Sequence, residues 1–206
     1  MGLAASFSGG IRQYLSEGAE VKRLHPGKAA RDGLVCAGLA AQGITGAIVC
    51  LEGADGLFRA MVDNRVDAKQ ITEGLGRDFL IETAYFKPFP CCRHFHAALD
   101  AALALRAQEN LTSAGVAKIE IGLYGVGAHG HDHIEAPNLL AAQMSAPCAV
   151  AAALIQGRLG AADFEPATFD APEPQRLLKA TRVYVDEACE AAYPQRRSGV
   201  VTLELT

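Results

Sequence analysis

Residues 87–96 read KPFPCCRHFH and divide two segments that differ in pattern. The prolines at 88 and 90 favour an extended turn and prevent a helix from starting early. The preceding residues 79–86 have the composition of a strand, whereas residues 95–106 place apolar side chains near helical spacing. The sequence therefore predicts a strand, a turn and a helix, with the polar side chains gathered in the turn and at the helix start.

This turn has the character of an anion-binding site. Its cationic and imidazole side chains are Lys87, Arg93, His94 and His96. A helix N-terminus adds unpaired N–H groups and a partial positive charge, which together suit a carboxylate or a phosphate. The adjacent Cys91 and Cys92 have two interpretations: a thiol with a lowered pKa beside Arg93, or two small packed residues, which we favour.

A second stretch, residues 22–31, repeats this design. Its basic side chains and imidazole are Lys22, Arg23, His25, Lys28 and Arg31. Pro26 suits the first turn of a helix, and Gly43 is placed to end it. The alternative is a basic surface helix, but the similarity between the two stretches favours a second anion-binding turn.

Composition excludes several classes of function. The 206 residues are half hydrophobic and one fifth charged, which allows a buried core and excludes disorder. The net charge of −4 gives no general basic field for nucleic acid or membrane. No apolar run is long enough to span a bilayer, and the first residues lack the pattern of a signal peptide. The six cysteines are scattered and form no CxxC pair, so we expect reduced thiols in a cytoplasmic protein.

The remaining pattern predicts helices in the first part and a mixed α+β arrangement in the second. Residues 1–19 are expected to be helical with a weak point at Gly9 and Gly10, and the glycine-rich residues 44–58 to form turns. Expected further on are short helices within 57–76, strands at 116–126, 181–186 and 199–205, and helices at 146–156 and 172–178. Ser145 is a candidate cap and Gly157 a candidate stop for the apolar helix between them.

A histidine-rich loop at residues 129–133 gives one further alternative. Its sequence, HGHDH, resembles the metal-binding run of some hydrolases but is one residue short. A metal-dependent hydrolase using His129, His131 and His133 is therefore an open alternative. We favour a mobile polar loop and expect no metal site.

Four segments taken together resemble the MmgE/PrpD family, which includes 2-methylcitrate dehydratases, cis-aconitate decarboxylases and iminodisuccinate epimerases. The segments are KRLHPGKAA at 22–30, the glycine run at 43–53, KPFPCCRHFHAALD at 87–100 and AQMSAPCAVA at 142–151. They occur in family order and extend over nearly the whole chain.

The resemblance implies an α+β fold: part of an all-helical domain at residues 1–76, followed by an α+β lid domain at 77–206. It implies catalytic roles for Lys22, His25, Lys87 and His96, and substrate-binding roles for Arg23, Lys28, Arg93, His94 and Cys148. It further implies a lyase acting on a small di- or tricarboxylate without metal or organic cofactor, and usually a homodimer.

Two departures from the family pattern leave another alternative open. Family members are longer at both ends, and their earlier half carries an Asp/His group without a counterpart in this sequence. The usual Ser-x-x-Tyr of the lid reads Ser145-x-x-Cys148, which replaces a phenol by a thiol. The alternative is a catalytically incomplete chain that binds carboxylates and requires a partner chain supplying the missing helical half.

Overall fold

The computed structural model describes the backbone of residues 1–206 and all side chains except those of residues 16 and 17. In chain order the α-helices are α1 (Gly2–Phe7), α2 (Tyr14–Glu17), α3 (His25–Ala41), α4 (Leu57–Val62), α5 (Lys69–Thr72), α6 (His96–Gln108), α7 (Gly125–Ala128), α8 (Leu139–Met144), α9 (Ala146–Gln156), α10 (Pro172–Lys179) and α11 (Glu187–Ala192). The strands are β1 (Val116–Leu123), β2 (Thr181–Val185) and β3 (Gly199–Leu205). The fold is therefore α+β, as expected.

The chain forms two units: unit 1 comprises Met1–Ile11 and Val21–Phe86, and unit 2 comprises Arg12–Glu20 and Lys87–Thr206. Unit 1 is organised around α3, which has Pro26 in its first turn, where a missing N–H costs nothing. Its large apolar side chains are mostly exposed; Leu34 and Ile48 are 77% and 95% exposed. Unit 1 thus buries few apolar groups of its own.

Unit 2 is built on a three-stranded sheet in the order β2-β1-β3. Strand β1 pairs parallel with β2 and antiparallel with β3, and Ile121 lies opposite both Val183 and Val201. Alternate β1 side chains, Ile119, Ile121 and Leu123, are fully buried. The central strand therefore carries the apolar face on which the helices of unit 2 pack.

The helical layer of unit 2 contains a core helix, α9, that contacts both α6 and α10. Its residues from Ala146 to Leu154 are all buried, as expected for a helix that is apolar on every face. The predicted cap is confirmed: Ser145 Oγ accepts the Cys148 N–H at 3.1 Å. The predicted stop is also confirmed, since Gly157 takes a left-handed conformation with φ +70°.

One prediction about secondary structure was wrong. Residues 79–86 form no strand; they contain a 3-10 turn, Leu80–Thr83. Strand propensity requires a partner, and Phe86 at 99% exposure has none to pack against. The weak point predicted at Gly9 and Gly10 is confirmed: residues 1–19 form the two short helices α1 and α2, and Gly10, between them, has φ +116°. Residues 129–133 lie outside helices and strands as predicted, and within this loop His131 is 1% exposed and hydrogen-bonded.

Among the described residues, no helix is both long enough and apolar enough to cross a bilayer.

Candidate functional site

The turn at residues 87–95 is held in place by backbone contacts within unit 2. The Cys92 N–H donates to the Gln143 carbonyl at 2.9 Å, which ties the turn to α8. The Lys87 ammonium folds back and donates to the Cys91 carbonyl at 3.2 Å. A 3-10 turn, Arg93–Phe95, then leads into α6, so the predicted turn and helix are confirmed.

His96 occupies the first position of α6 and is buried, with 2% exposure. Its ring meets Phe89 edge-on at 5.2 Å between centroids. Among the described groups neither ring nitrogen has a hydrogen-bond partner. Buried polar atoms in native proteins rarely lack one, so this imidazole needs an explanation other than packing.

Burial is the main cause that lowers the pKa of His96 below its usual 6.5. The positive charges of Arg93 and Lys87 act in the same direction. The backbone of Cys91 opposes the shift, although it does not reach hydrogen-bonding geometry. The neutral imidazole is therefore favoured beside two cations, which is the form that can accept a proton.

The two adjacent thiols differ in their surroundings. Burial, and then the neighbouring Cys92, raises the pKa of Cys91 to about 12, and Lys87 opposes this only weakly. For Cys91 the interpretation as a small packed residue is therefore supported. Cys92 instead contacts a histidine: its Sγ lies 3.6 Å from His131 Nε2.

His94 and His131 lie side by side next to Cys92, with ring centroids 5.6 Å apart. Both rings are fixed by hydrogen bonds, His94 Nδ1 to the Tyr124 hydroxyl and His131 Nδ1 to the Met144 carbonyl, each at 2.7 Å. Tyr124 is fully buried and stacks on Tyr193 at 4.4 Å. Burial raises the pKa of Tyr124 to about 12, so its hydroxyl stays protonated.

Cys148 lies in the core rather than on an accessible surface. It is fully buried within α9, and burial raises the pKa of its thiol to about 11. The hydroxyl of Ser145, besides capping α9, donates to the His133 carbonyl at 2.5 Å. Cys148 is thus a packing residue of the core.

In unit 1 the cationic stretch begins α3 as predicted. Lys22 and Arg23 belong to a 3-10 turn, Glu20–Leu24, and His25 is the first residue of α3. The His25 ring lies against Gly10, where an added Cβ would come within 3.4 Å of it. The glycine thus makes room for the imidazole.

Lys28 is already neutralised inside unit 1. Its ammonium donates to Asp32 Oδ2 at 2.6 Å and to the Phe7 carbonyl at 3.0 Å. Hydrogen bonds from Lys28 and then from Arg31 hold the pKa of Asp32 below its usual 3.8. These contacts give Lys28 a structural role that the sequence did not reveal.

The three histidines of the alternative metal run do not act together. His129 is exposed, whereas His133 Nε2 lies 3.0 Å from the Ala141 carbonyl. Of the described side chains, the group of three suited to a metal ion is Cys92, His94 and His131. Sequence reasoning missed this group because Cys92 and His131 are 39 positions apart and no spacing rule joins them.

The fold and the turn define a class: an α+β protein in which unit 2 presents cations beside a buried imidazole. Residues 1–69 match the MmgE/PrpD N-terminal domain, and residues 89–206 match the MmgE/PrpD C-terminal domain. The chain belongs to the MmgE/PrpD family. This is a family of dehydratase- and lyase-type enzymes that bind small carboxylates. Comparison with curated proteins found no match.

Proposed function

We propose that this protein is a lyase that acts on a small di- or tricarboxylic acid, in the manner of a 2-methylcitrate dehydratase or a cis-aconitate decarboxylase. The observation that carries the proposal is the turn at residues 87–96, where Lys87 and Arg93 act on the buried His96. Family membership supports the reaction class, and the turn supplies groups of the required chemistry.

The first step is substrate binding. A carboxylate is bound best by cationic donors, and Lys87 and Arg93 provide an ammonium and a guanidinium in one turn of unit 2. Lys87 is exposed and its present acceptor is a neutral carbonyl, which a carboxylate can replace at a gain in electrostatic energy. In unit 1 we assign catalytic roles to Lys22 and His25, because they occupy the family motif.

The second step is proton transfer. Loss of water or carbon dioxide next to a carboxylate builds negative charge, which fixed cations stabilise. His96 is favoured as the neutral imidazole, which can take up a proton near neutral pH. Its nitrogens lack partners among the described groups, so a bound substrate or water can supply the missing hydrogen bond.

The test is calorimetry and an absorbance assay with 2-methylcitrate, citrate, cis-aconitate and iminodisuccinate. Lys87→Met should weaken carboxylate binding about ten- to a hundredfold, because a charge-assisted hydrogen bond contributes about 1.5–3 kcal/mol. Lys179→Met is the matched control, since it removes the same charge from an exposed lysine at the end of α10.

Unchanged affinity in Lys87→Met, or an equal loss in Lys179→Met, would contradict the assignment of Lys87. Turnover of one acid would identify the substrate. Binding without turnover would assign the chain a carboxylate-binding role that needs a partner chain for catalysis.

The proposal includes a second copy of the chain as partner. Leu34 on α3 is 77% exposed, and such an apolar group in unit 1 is stabilised when a protein surface covers it. Light scattering over a range of concentrations should give the mass of a dimer, and Leu34→Glu should shift it toward the monomer. A monomeric wild-type protein at all concentrations would refute this part of the proposal.

A further inference from the structure

Three donor atoms from distant parts of unit 2 converge beside the turn. Cys92 precedes the 3-10 turn, His94 lies within it, and His131 follows α7. One ligand atom from each residue lies within 4.8 Å of the other two. Cys92 and His131 have no role in the carboxylate chemistry proposed above, so the group needs its own explanation.

The closest pair already has the separation that a tetrahedral ion requires. Zinc bonds of about 2.3 Å to sulfur and about 2.0–2.1 Å to nitrogen place the two donors about 3.6 Å apart at a tetrahedral angle. The distance between Cys92 Sγ and His131 Nε2 is 3.6 Å. The third donor, from the partly buried His94, lies within 4.8 Å of the other two.

Hydrogen bonds hold both imidazoles in the orientation that a metal ligand needs. A ligating histidine usually donates its other ring N–H to a carbonyl or a similar acceptor. His131 Nδ1 lies 2.7 Å from the Met144 carbonyl, which assigns the proton to Nδ1 and leaves Nε2 facing Cys92. His94 Nδ1 lies 2.7 Å from the hydroxyl of Tyr124, which is itself buried and stacked on Tyr193, and this contact positions the His94 ring.

We propose that Cys92, His94 and His131 bind one zinc-class divalent cation. A thiolate with two imidazoles favours zinc or cobalt over magnesium or calcium, which prefer oxygen ligands. On binding, the Cys92 thiol releases its proton to solvent and the two imidazoles remain neutral. Three protein ligands leave a fourth coordination position for water or another donor. This site differs from the histidine-rich loop at residues 129–133, because it uses His131 of that loop but neither His129 nor His133.

The test is titration of the metal-stripped full chain with Co²⁺, followed by zinc loading, dialysis and elemental analysis. Cobalt should produce a thiolate-to-metal charge-transfer band, and zinc should be retained at about one ion per chain. Neither readout depends on lyase activity, so the outcome is separate from that of the proposed function.

The variants use neighbouring residues as matched controls. Cys92→Ser should abolish the charge-transfer band and zinc retention, whereas Cys91→Ser, which changes the adjacent buried thiol, should keep both. His94→Gln, a change at a partly buried position, should also lose zinc. His129→Gln should bind as the wild type does.

Tyr124→Phe probes the hydrogen bond that orients His94 and should weaken zinc binding about 10- to 100-fold. Circular dichroism of each metal-free variant checks that it folds as the wild type does. The proposal is overturned if the wild type shows no thiolate band and retains only trace zinc. It is equally overturned if Cys92→Ser, folded, binds zinc as tightly as Cys91→Ser.

Discussion

The hydroxyl of Ser145 makes two hydrogen bonds in the core, and its removal is the perturbation with the best-defined consequence. Ser145 is fully buried; its Oγ accepts the Cys148 N–H at the start of α9 and donates to the His133 carbonyl. Ser145→Ala removes both bonds while keeping the backbone unchanged. Because α9 contacts α6 and α10, a loss at its first turn acts on the centre of unit 2.

The expected loss in the free energy of unfolding is the sum of two contributions. Loss of an N-cap side chain costs about 1 kcal/mol. Loss of the hydrogen bond to the carbonyl of the partly buried His133 adds about 1–3 kcal/mol. We therefore expect Ser145→Ala to lower the free energy of unfolding by about 2–4 kcal/mol.

The assay is urea denaturation followed by far-ultraviolet circular dichroism, since the chain contains no tryptophan. Thr112→Ala is the matched control, because this exposed residue occupies a cap position whose side chain makes no capping bond. Its effect should stay within about 0.5 kcal/mol. Hydrogen exchange at the Cys148 amide should accelerate only in Ser145→Ala. If the two variants unfold at the same urea concentration, the account of the cap is refuted.

Two further predictions concern the ends of helices. The Cys189 N–H donates a hydrogen bond to Asp186 at the start of α11 and holds the pKa of that carboxyl below its usual 3.8. The hydrogen bond therefore stabilises the protein fully above pH 3.8, and this stabilisation is lost as the pH falls through the pKa that Asp186 has in the folded state. The difference in melting temperature between wild type and Asp186→Ala should therefore be larger at about pH 6 than at about pH 3, and a pH-independent difference would contradict this reasoning. Gly157→Ala should cost about 1–2 kcal/mol in urea denaturation, because φ there is +70° and the new Cβ would lie 2.6 Å from Arg106 Nη1. Gly27→Ala, where an added Cβ meets nothing within 4 Å, is the control and should not destabilise the protein.

Two helix boundaries were predictable from the sequence because a few neighbouring residues decide them. Ser145 and Gly157 delimit α9 as their capping preferences require. Pro26 stands in the first turn of α3 for an equally local reason.

The strands show where local reasoning succeeds and where it fails. β3 was predicted at residues 199–205 with its observed bounds, and its apolar pattern is satisfied by pairing with β1. Residues 79–86 have a similar composition but lie where no strand pairs with them. Composition predicts that a segment can be a strand, but only a neighbouring strand makes it one.

In the candidate site, too, some features follow from the sequence and others only from the tertiary structure. The sequence alone determined the cationic turn at residues 87–96, the α+β class and the resemblance to the MmgE/PrpD family, because motif order and residue type are properties of the chain itself. Only the tertiary structure brought Cys92 to His131, neutralised Lys28 with Asp32 and buried His96 without a partner among the described groups. These outcomes depend on distances, burial and local charge, which arise when segments far apart in sequence pack together and exclude water.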